Sequence, residues 1–276
     1  MRFTSLRNRI CAAVDLAAEQ WIGFAFPPVE RAIADANWKP DAPAEYCQHC
    51  GDSVGPGEAT ATGCATCRAG AELSGGIGDG VLRLGTYTES LLEWVRAVKY
   101  QRWTEMGTFL GMRLGECIRD AKVIDVNRMI IVPMPMPWPR RLYRGVDHAH
   151  VIAEGVSRVL DVPIVRVLRK NTQPPQVTLV PSARRRSGSR GLHIRRRIGG
   201  WPLTGLHVLI VDDVRTTGAT LKAASRLVKS LKPERTVCAV LAVSDSKARR
   251  DRAKRLHANA ALQVSPPESA GVQSPA

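Results

Sequence analysis

The chain has 276 residues, 24% of them charged and 44% hydrophobic, the balance of an ordinary folded protein with length for one large domain plus appendages. A net charge of +15 and a pI near 10.1 favour acidic partners such as nucleic acid, nucleotides, phosphorylated substrates or anionic lipid. No stretch is long and apolar enough to span a bilayer, and "ICAAVDLAAEQWIGFAF" is broken by Asp15 and Glu19, so it reads as an amphipathic helix rather than a signal peptide; the cytoplasm is the expected compartment.

Residues 1–45 read as helical and then irregular, with prolines at 27, 28, 40 and 43. Residues 46–68 hold the pairs "CQHC" and "CATC", that is Cys47, Cys50, Cys64 and Cys67, with thirteen residues between them. Two CxxC pairs at this spacing bring four thiolates around one tetrahedral ion, and zinc is the expected metal. Four cysteine ligands leave no open position, so the role is structural. His49, inside the first knuckle, is expected to point outward. Cys11, Cys117 and Cys238 stand alone in apolar or helical patterns and read as buried free thiols.

A glycine-rich linker, 69–80, leads into a folded region over 81–244. "VLRLGTY" predicts a strand, "ESLLEWVRAVKY" and "TEMGTFLGMRLGECIRDA" two helices, and "MIIVPMP" a short buried strand whose prolines end it in a loop. "HAHVIAEGVSRVL" predicts a helix and "PIVRVL" a strand. Residues 169–200 are basic and without period. "HVLIVDD" then reads as a strand, "GATLKAASRLVKSL" as a helix and "RTVCAVLAVS" as a last strand. Strands alternating with helices imply βαβ units and a mostly parallel sheet flanked by helices, an α/β fold. Residues 245–276 begin as a basic segment and end Pro/Ser/Gly-rich, the composition of a disordered tail.

The run "VLIVDDVRTTGATL", Val208–Leu221, carries the most chemistry. Asp212 and Asp213 close a buried strand, where open α/β sheets bind ligands. The next helix begins near Gly218 or Ala219, and its first amides lack intrahelical acceptors. Amides and hydroxyls across Val214, Arg215, Thr216, Thr217, Gly218, Ala219 and Thr220 are therefore placed to enclose a phosphate, and Gly218 lets the backbone approach it. The carboxylates sit one step away, suited to sugar hydroxyls or a hydrated divalent ion. Together these describe a ribose 5-phosphate site.

This run resembles the phosphoribosyl pyrophosphate (PRPP) motif of type I phosphoribosyltransferases. With the cysteine quartet ahead of it, the layout resembles the ComF family, the competence protein F-like proteins. "VRAVKYQRW" is similar to that family's "LKYxG" region through Lys99 and Tyr100. "VPMPMPWPRRLYRGVDHA" is similar to its "PVPL…RRLRxRGFNQA" segment through Pro133, Pro135, Arg140, Arg141, Arg144 and Gly145. "TQPPQVTLVPSARRRSGSRGL" is similar to a third segment through Gln176, Leu179 and Arg184. The chain departs from the family at Val146, Asp147 and His148, which stand where it has Phe-Asn-Gln, and at Gln173, Ser187 and Leu192. The resemblance implies a type I phosphoribosyltransferase-like fold with an N-terminal zinc module. It implies Asp212 and Asp213 on the ribose, Thr216–Thr220 on the 5-phosphate, and magnesium accompanying PRPP. Lys99, Arg140, Arg144 and Arg184 are its candidate pyrophosphate contacts.

Between Pro163 and Val211 there is no Asp or Glu, while Arg166, Arg169, Lys170, Arg184, Arg185, Arg186, Arg190, Arg195, Arg196 and Arg197 accumulate. Trp138, Tyr143 and Trp201 are candidate stacking partners for single-stranded nucleic acid near this run. Two functions compete. One is transfer of a phosphoribosyl group with release of pyrophosphate. The other, implied by the ComF resemblance, is a non-catalytic protein of DNA uptake that binds single-stranded DNA and takes PRPP as a ligand. A PRPP-sensing regulator is a third reading, for which no helix-turn-helix pattern speaks.

Overall fold

The computed structural model describes residues 26–71, 77–171, 191–196 and 202–245. The expectations for the N-terminal amphipathic helix, Cys11, the segment with Gln173, Gln176, Leu179, Arg184 and Ser187, Trp201 and the C-terminal tail lie outside the described residues. The chain divides into two compact units, Met1–Lys39 and Pro40–Ala276. In the first, Val29–Asp35 forms helix α1 directly after Pro28, with an Arg31–Asp35 ion pair of 3.7 Å along one face.

All further elements belong to the second unit. In chain order they are α2 (Ala65–Ala71), β1 (Val81–Thr86), α3 (Glu89–Arg96), α4 (Thr104–Ala121), β2 (Met129–Pro133), α5 (Trp138–Arg144), α6 (His148–Leu160), β3 (Leu168–Lys170), β4 (Leu192–Ile194), β5 (His207–Arg215), α7 (Ala219–Lys229) and β6 (Arg235–Val243). The main sheet is parallel throughout, in the order β1-β6-β5-β2. Beyond β2, Ile164 adds a single parallel bridge to Ile131. Parallel neighbours require crossover connections, and the helices supply them.

The central strand β5 has Val208, Leu209, Ile210 and Val211 all at 0% exposure. Because both faces of a parallel sheet are covered, such a strand reads as a continuous apolar run rather than an alternation. Leu221, Ala224 and Val228 of α7 join Val208, Ile210, Cys238 and Val240 in one core cluster. Helices α4 and α6 pack on each other and against the sheet. Their contact is made by glycines at helical spacing. A methyl group on Gly111 would lie 2.2 Å from the Ile152 carbonyl oxygen, and one on Gly155 2.2 Å from that of Thr108. The backbones therefore touch, which fixes α6 and the residues at its N-terminus.

Three expectations needed correction. "PIVRVL" supplies only the Ile164 bridge and then β3, which pairs antiparallel with β4 rather than joining the main sheet. Strands of three residues are too short to carry a period, which is also why β4 was hidden in the basic stretch. The segment after β2 is not all loop: α5 starts at Trp138, where Pro139 in the first turn loses no intrahelical hydrogen bond. No helix among the described residues is long and apolar enough to cross a membrane.

Candidate functional site

Successive residues of a strand face opposite ways, so the adjacent carboxylates at the end of β5 have different surroundings. Asp213 is 6% exposed and is met by two nitrogens, Lys99 Nζ at 2.9 Å and His148 Nε2 at 2.8 Å. Lys99 arrives there because α3 ends in a π-helical turn, Ala97–Gln101, closed by Arg102 in the left-handed region. Such turns re-aim side chains where a regular helix would carry them past. His148 opens α6. Burial alone would raise the Asp213 pKa, but the charges and hydrogen bonds of His148 and Lys99 outweigh it and hold the carboxyl well below its usual range.

Asp212 is in the reverse position. Among the described residues it makes no ion pair, and its Oδ1 accepts the Asp213 amide at 2.9 Å. Burial first, and then the Asp213 charge, push its pKa up to about 7. The pair thus consists of one fixed anion and one carboxyl that can titrate near neutrality.

Above the pair opens a cleft of about 220 Å³, lined by Asp212, Asp213, Lys99, His148, Arg140, Arg144, Lys170, Thr220 and the exit of β2 from Met134 to Pro137. Arg140 and Arg144 come from α5 and Lys170 from the end of β3. The Lys170 pKa is lowered, by burial and then by Arg140. Cations outnumber carboxylates here, so the cleft suits a ligand bearing several negative charges. Of the residues expected on sequence grounds, Asp212, Asp213, Lys99, Arg140, Arg144 and Thr220 meet at this cleft. Lys170 and His148 complete it. The first was legible only as one of many basic residues, the second only as a departure from the family segment.

Thr216 and Thr217 are exposed between β5 and α7. Gly218 has φ +75°, and a methyl group on it would lie 2.6 Å from Ile77 Cδ1, so the turn requires glycine. Thr217 Oγ1 accepts the Ala219 amide at 3.4 Å. The following first-turn amides have no acceptor within α7, which leaves the loop positive and open to an anion. Val214 is half-buried. Arg215, although in this run, is 4% exposed and turned away: its guanidinium bonds Asp52 and the Thr216 carbonyl.

The four cysteines converge, with every pair of sulfurs within 4.8 Å. Cys47–Cys67 is 3.7 Å, Cys50–Cys64 is 3.6 Å and Cys64–Cys67 is 4.0 Å. These are too long for disulfides. They match the edge, ~3.8 Å, of a tetrahedron built on ~2.3 Å metal–sulfur bonds. The Cys47 thiol is opposed by burial, but amides of His49, Cys50 and Cys64 aimed at it lower its pKa and favour the thiolate. Burial pushes Cys67 up to about 11 and raises Cys50. Mutually repelling sulfurs of this kind are what a cation relieves, and the donor set fits a metal such as zinc. Cys117 and Cys238 stand apart as free thiols.

Residues 147–265 match the family model described as phosphoribosyl transferase domain. The chain is 28% identical over 190 residues to competence protein F of Haemophilus influenzae, covering 67% of this chain and 79% of that protein. It is 26% identical over 112 residues to competence protein ComFC of Bacillus subtilis, covering 38% and 40% respectively. It is 31% identical over 131 residues to an adenine phosphoribosyltransferase of Rhodococcus opacus, covering 47% of this chain and 72% of that one.

Proposed function

Because the chain belongs to the phosphoribosyl transferase domain family and is ComF-like within it, we propose that its cleft binds PRPP and carries out phosphoribosyl transfer. The observation that carries this reading is the convergence of a titratable carboxyl, a carboxylate held by Lys99 and His148, and three further basic side chains beside a helix-initiating threonine loop. The 5-phosphate sits on Thr216–Thr220, with the amides of the first turn of α7 as donors. The ribose hydroxyls donate to Asp212. Asp213 acts less as a direct acceptor than as the anchor that keeps Lys99 and His148 in place.

The pyrophosphate lies toward Arg140, Arg144 and Lys170. These donors meet the charge that grows on the leaving oxygen as the C1–O bond breaks and an acceptor nucleophile bonds to C1. Magnesium, when bound with PRPP, screens the pyrophosphate charge; Asp212, free of ion pairs among the described residues, is the carboxylate available to its hydration shell. The cysteine module holds a structural zinc. Incubation with labelled PRPP, magnesium and a panel of nucleobases and amines tests the transfer. Release of pyrophosphate with one of them is expected, and release with none overturns the enzymatic part of the reading.

One observation favours a second reading, a role in DNA uptake through single-stranded DNA. Trp138, Leu142 and Tyr143 of α5 and Tyr100 beside it are 71%, 69%, 84% and 63% exposed. Arg144 lies over the Tyr100 ring at 5.0 Å, and Arg140 and Arg141 share the surface. Aromatic faces interleaved with arginines suit stacked bases and a phosphate backbone. Titration with single-stranded oligonucleotide at low and high salt tests it: salt-sensitive binding lost in the Trp138→Ala, Tyr143→Ala double variant is expected, and no binding at low salt overturns it.

A further inference from the structure

The cysteine module and the threonine loop are far apart in sequence but joined by one buried contact. Asp52 follows the first cysteine knuckle and is 4% exposed, as is Arg215, which ends β5 immediately before the loop. The two side chains form a buried ion pair. On the module side, the Asp52 carbonyl accepts the Cys47 amide at 2.9 Å, so the aspartate backbone is part of the knuckle. Gly51 is seated tightly as well: a methyl group there would lie 3.1 Å from Val81 and 3.2 Å from Val243. On the loop side, Arg215 donates to the Thr216 carbonyl at 3.3 Å, and its Cδ would lie 3.7 Å from a methyl on Gly218. A second buried arginine, Arg83 of β1, ties the same module loop down through the Gly51 carbonyl at 2.6 Å and Ser53 Oγ at 2.8 Å.

Arginine next to a phosphate loop would ordinarily reach for the ligand. Here the guanidinium is committed to Asp52 on one side and to the Thr216 carbonyl of the loop on the other. Moving the knuckle would leave a buried charge unpaired, so the loop and knuckle conformations cannot vary independently. We propose that Asp52 and Arg215 are positioning residues through which the cysteine module sets the shape of the Thr216–Thr220 loop, so that metal in the module and phosphate on the loop strengthen each other's binding. The reciprocity is required by linkage. This inference rests on the loop being the 5-phosphate site.

The test uses the full chain loaded with zinc, the variant Asp52→Asn, and two probes, ribose 5-phosphate and inorganic pyrophosphate, titrated by calorimetry with metal content measured alongside. Chelation of the wild type is expected to weaken ribose 5-phosphate about tenfold, within the usual range of coupling between sites. Asp52→Asn is expected to show that loss already while still holding zinc, with little further loss on chelation and with pyrophosphate affinity unchanged. Wild-type affinity for ribose 5-phosphate in folded, zinc-loaded Asp52→Asn overturns the proposal, as does equal loss of both probes, which marks general loosening. Failure of the wild type to bind ribose 5-phosphate overturns the site reading itself, and the coupling with it. If Asp52→Asn does not fold, amide exchange in the wild type decides: faster exchange at Thr216–Thr220 on zinc removal is expected, and unchanged exchange there overturns the proposal.

Discussion

Asp212→Asn and Asp213→Asn are chemically the same change at neighbouring positions, yet their surroundings give opposite signs for stability. Removing the Asp213 charge strips the buried partner from Lys99 at 2.9 Å and His148 at 2.8 Å. Loss of one member of a buried ion pair costs on the order of 2–4 kcal/mol. Asp212 has no such partner among the described residues, and its pKa is pushed up from 3.8 to about 7 by burial and by Asp213. Between those two values the folded state holds more protons than the unfolded chain, so stability falls as pH rises through that window. Neutral asparagine escapes this cost and keeps the oxygen that accepts the Asp213 amide. After allowance for solvent in the open cleft, the gain is about 1–2 kcal/mol above pH 7, fading toward pH 4. The depressed Asp213 pKa acts the other way: its contribution is complete above 3.8 and is lost only as pH falls below that value. Urea unfolding of the three proteins at pH 8 and pH 4.5 measures both effects. The reasoning fails if Asp212→Asn destabilises at pH 8 as much as Asp213→Asn does.

The same titration gives ligand binding a direction. Ribose hydroxyls donate to an ionised carboxylate, so ribose 5-phosphate affinity should rise as Asp212 deprotonates between pH 6 and pH 8, and Asp212→Asn should flatten that slope in a calorimetric series. Gly155→Ala would press a methyl group 2.2 Å from the Thr108 carbonyl and should cost about 3 kcal/mol in a denaturant melt. Gly218→Ala, at φ +75° and against Ile77, should cost about 1–2 kcal/mol and weaken phosphate binding more than it weakens pyrophosphate binding. Purified protein should carry about one zinc per chain, and Cys47→Ser should lower both metal content and melting temperature.

Long elements and dense motifs were legible in the sequence. Helices α4, α6 and α7 announce themselves because each is long enough to repeat its apolar period, and strands β5 and β6 because each is a long, nearly continuous apolar run. The cysteine quartet and the Asp-Asp-to-threonine run were readable because each packs its chemistry into a few consecutive residues. The rest depends on tertiary contact. Nothing local shows that a π turn swings Lys99 onto Asp213, or that Arg215 turns from its own loop to Asp52 in a module 163 positions earlier. His148 was visible as an unexpected residue, but its contact with Asp213 required α6 to be seated against α4 by Gly111 and Gly155. The short strands β3 and β4 find each other only through pairing across a long intervening segment.

Amide hydrogen exchange of the zinc-loaded protein with and without PRPP and magnesium tests the central claim most directly. The account predicts saturable binding with exchange slowed at Thr216–Thr220 and in the first turn of α7, and the slowing abolished when PRPP is replaced by pyrophosphate alone. Absence of binding at millimolar PRPP, or slowing confined to residues outside this loop, would contradict it.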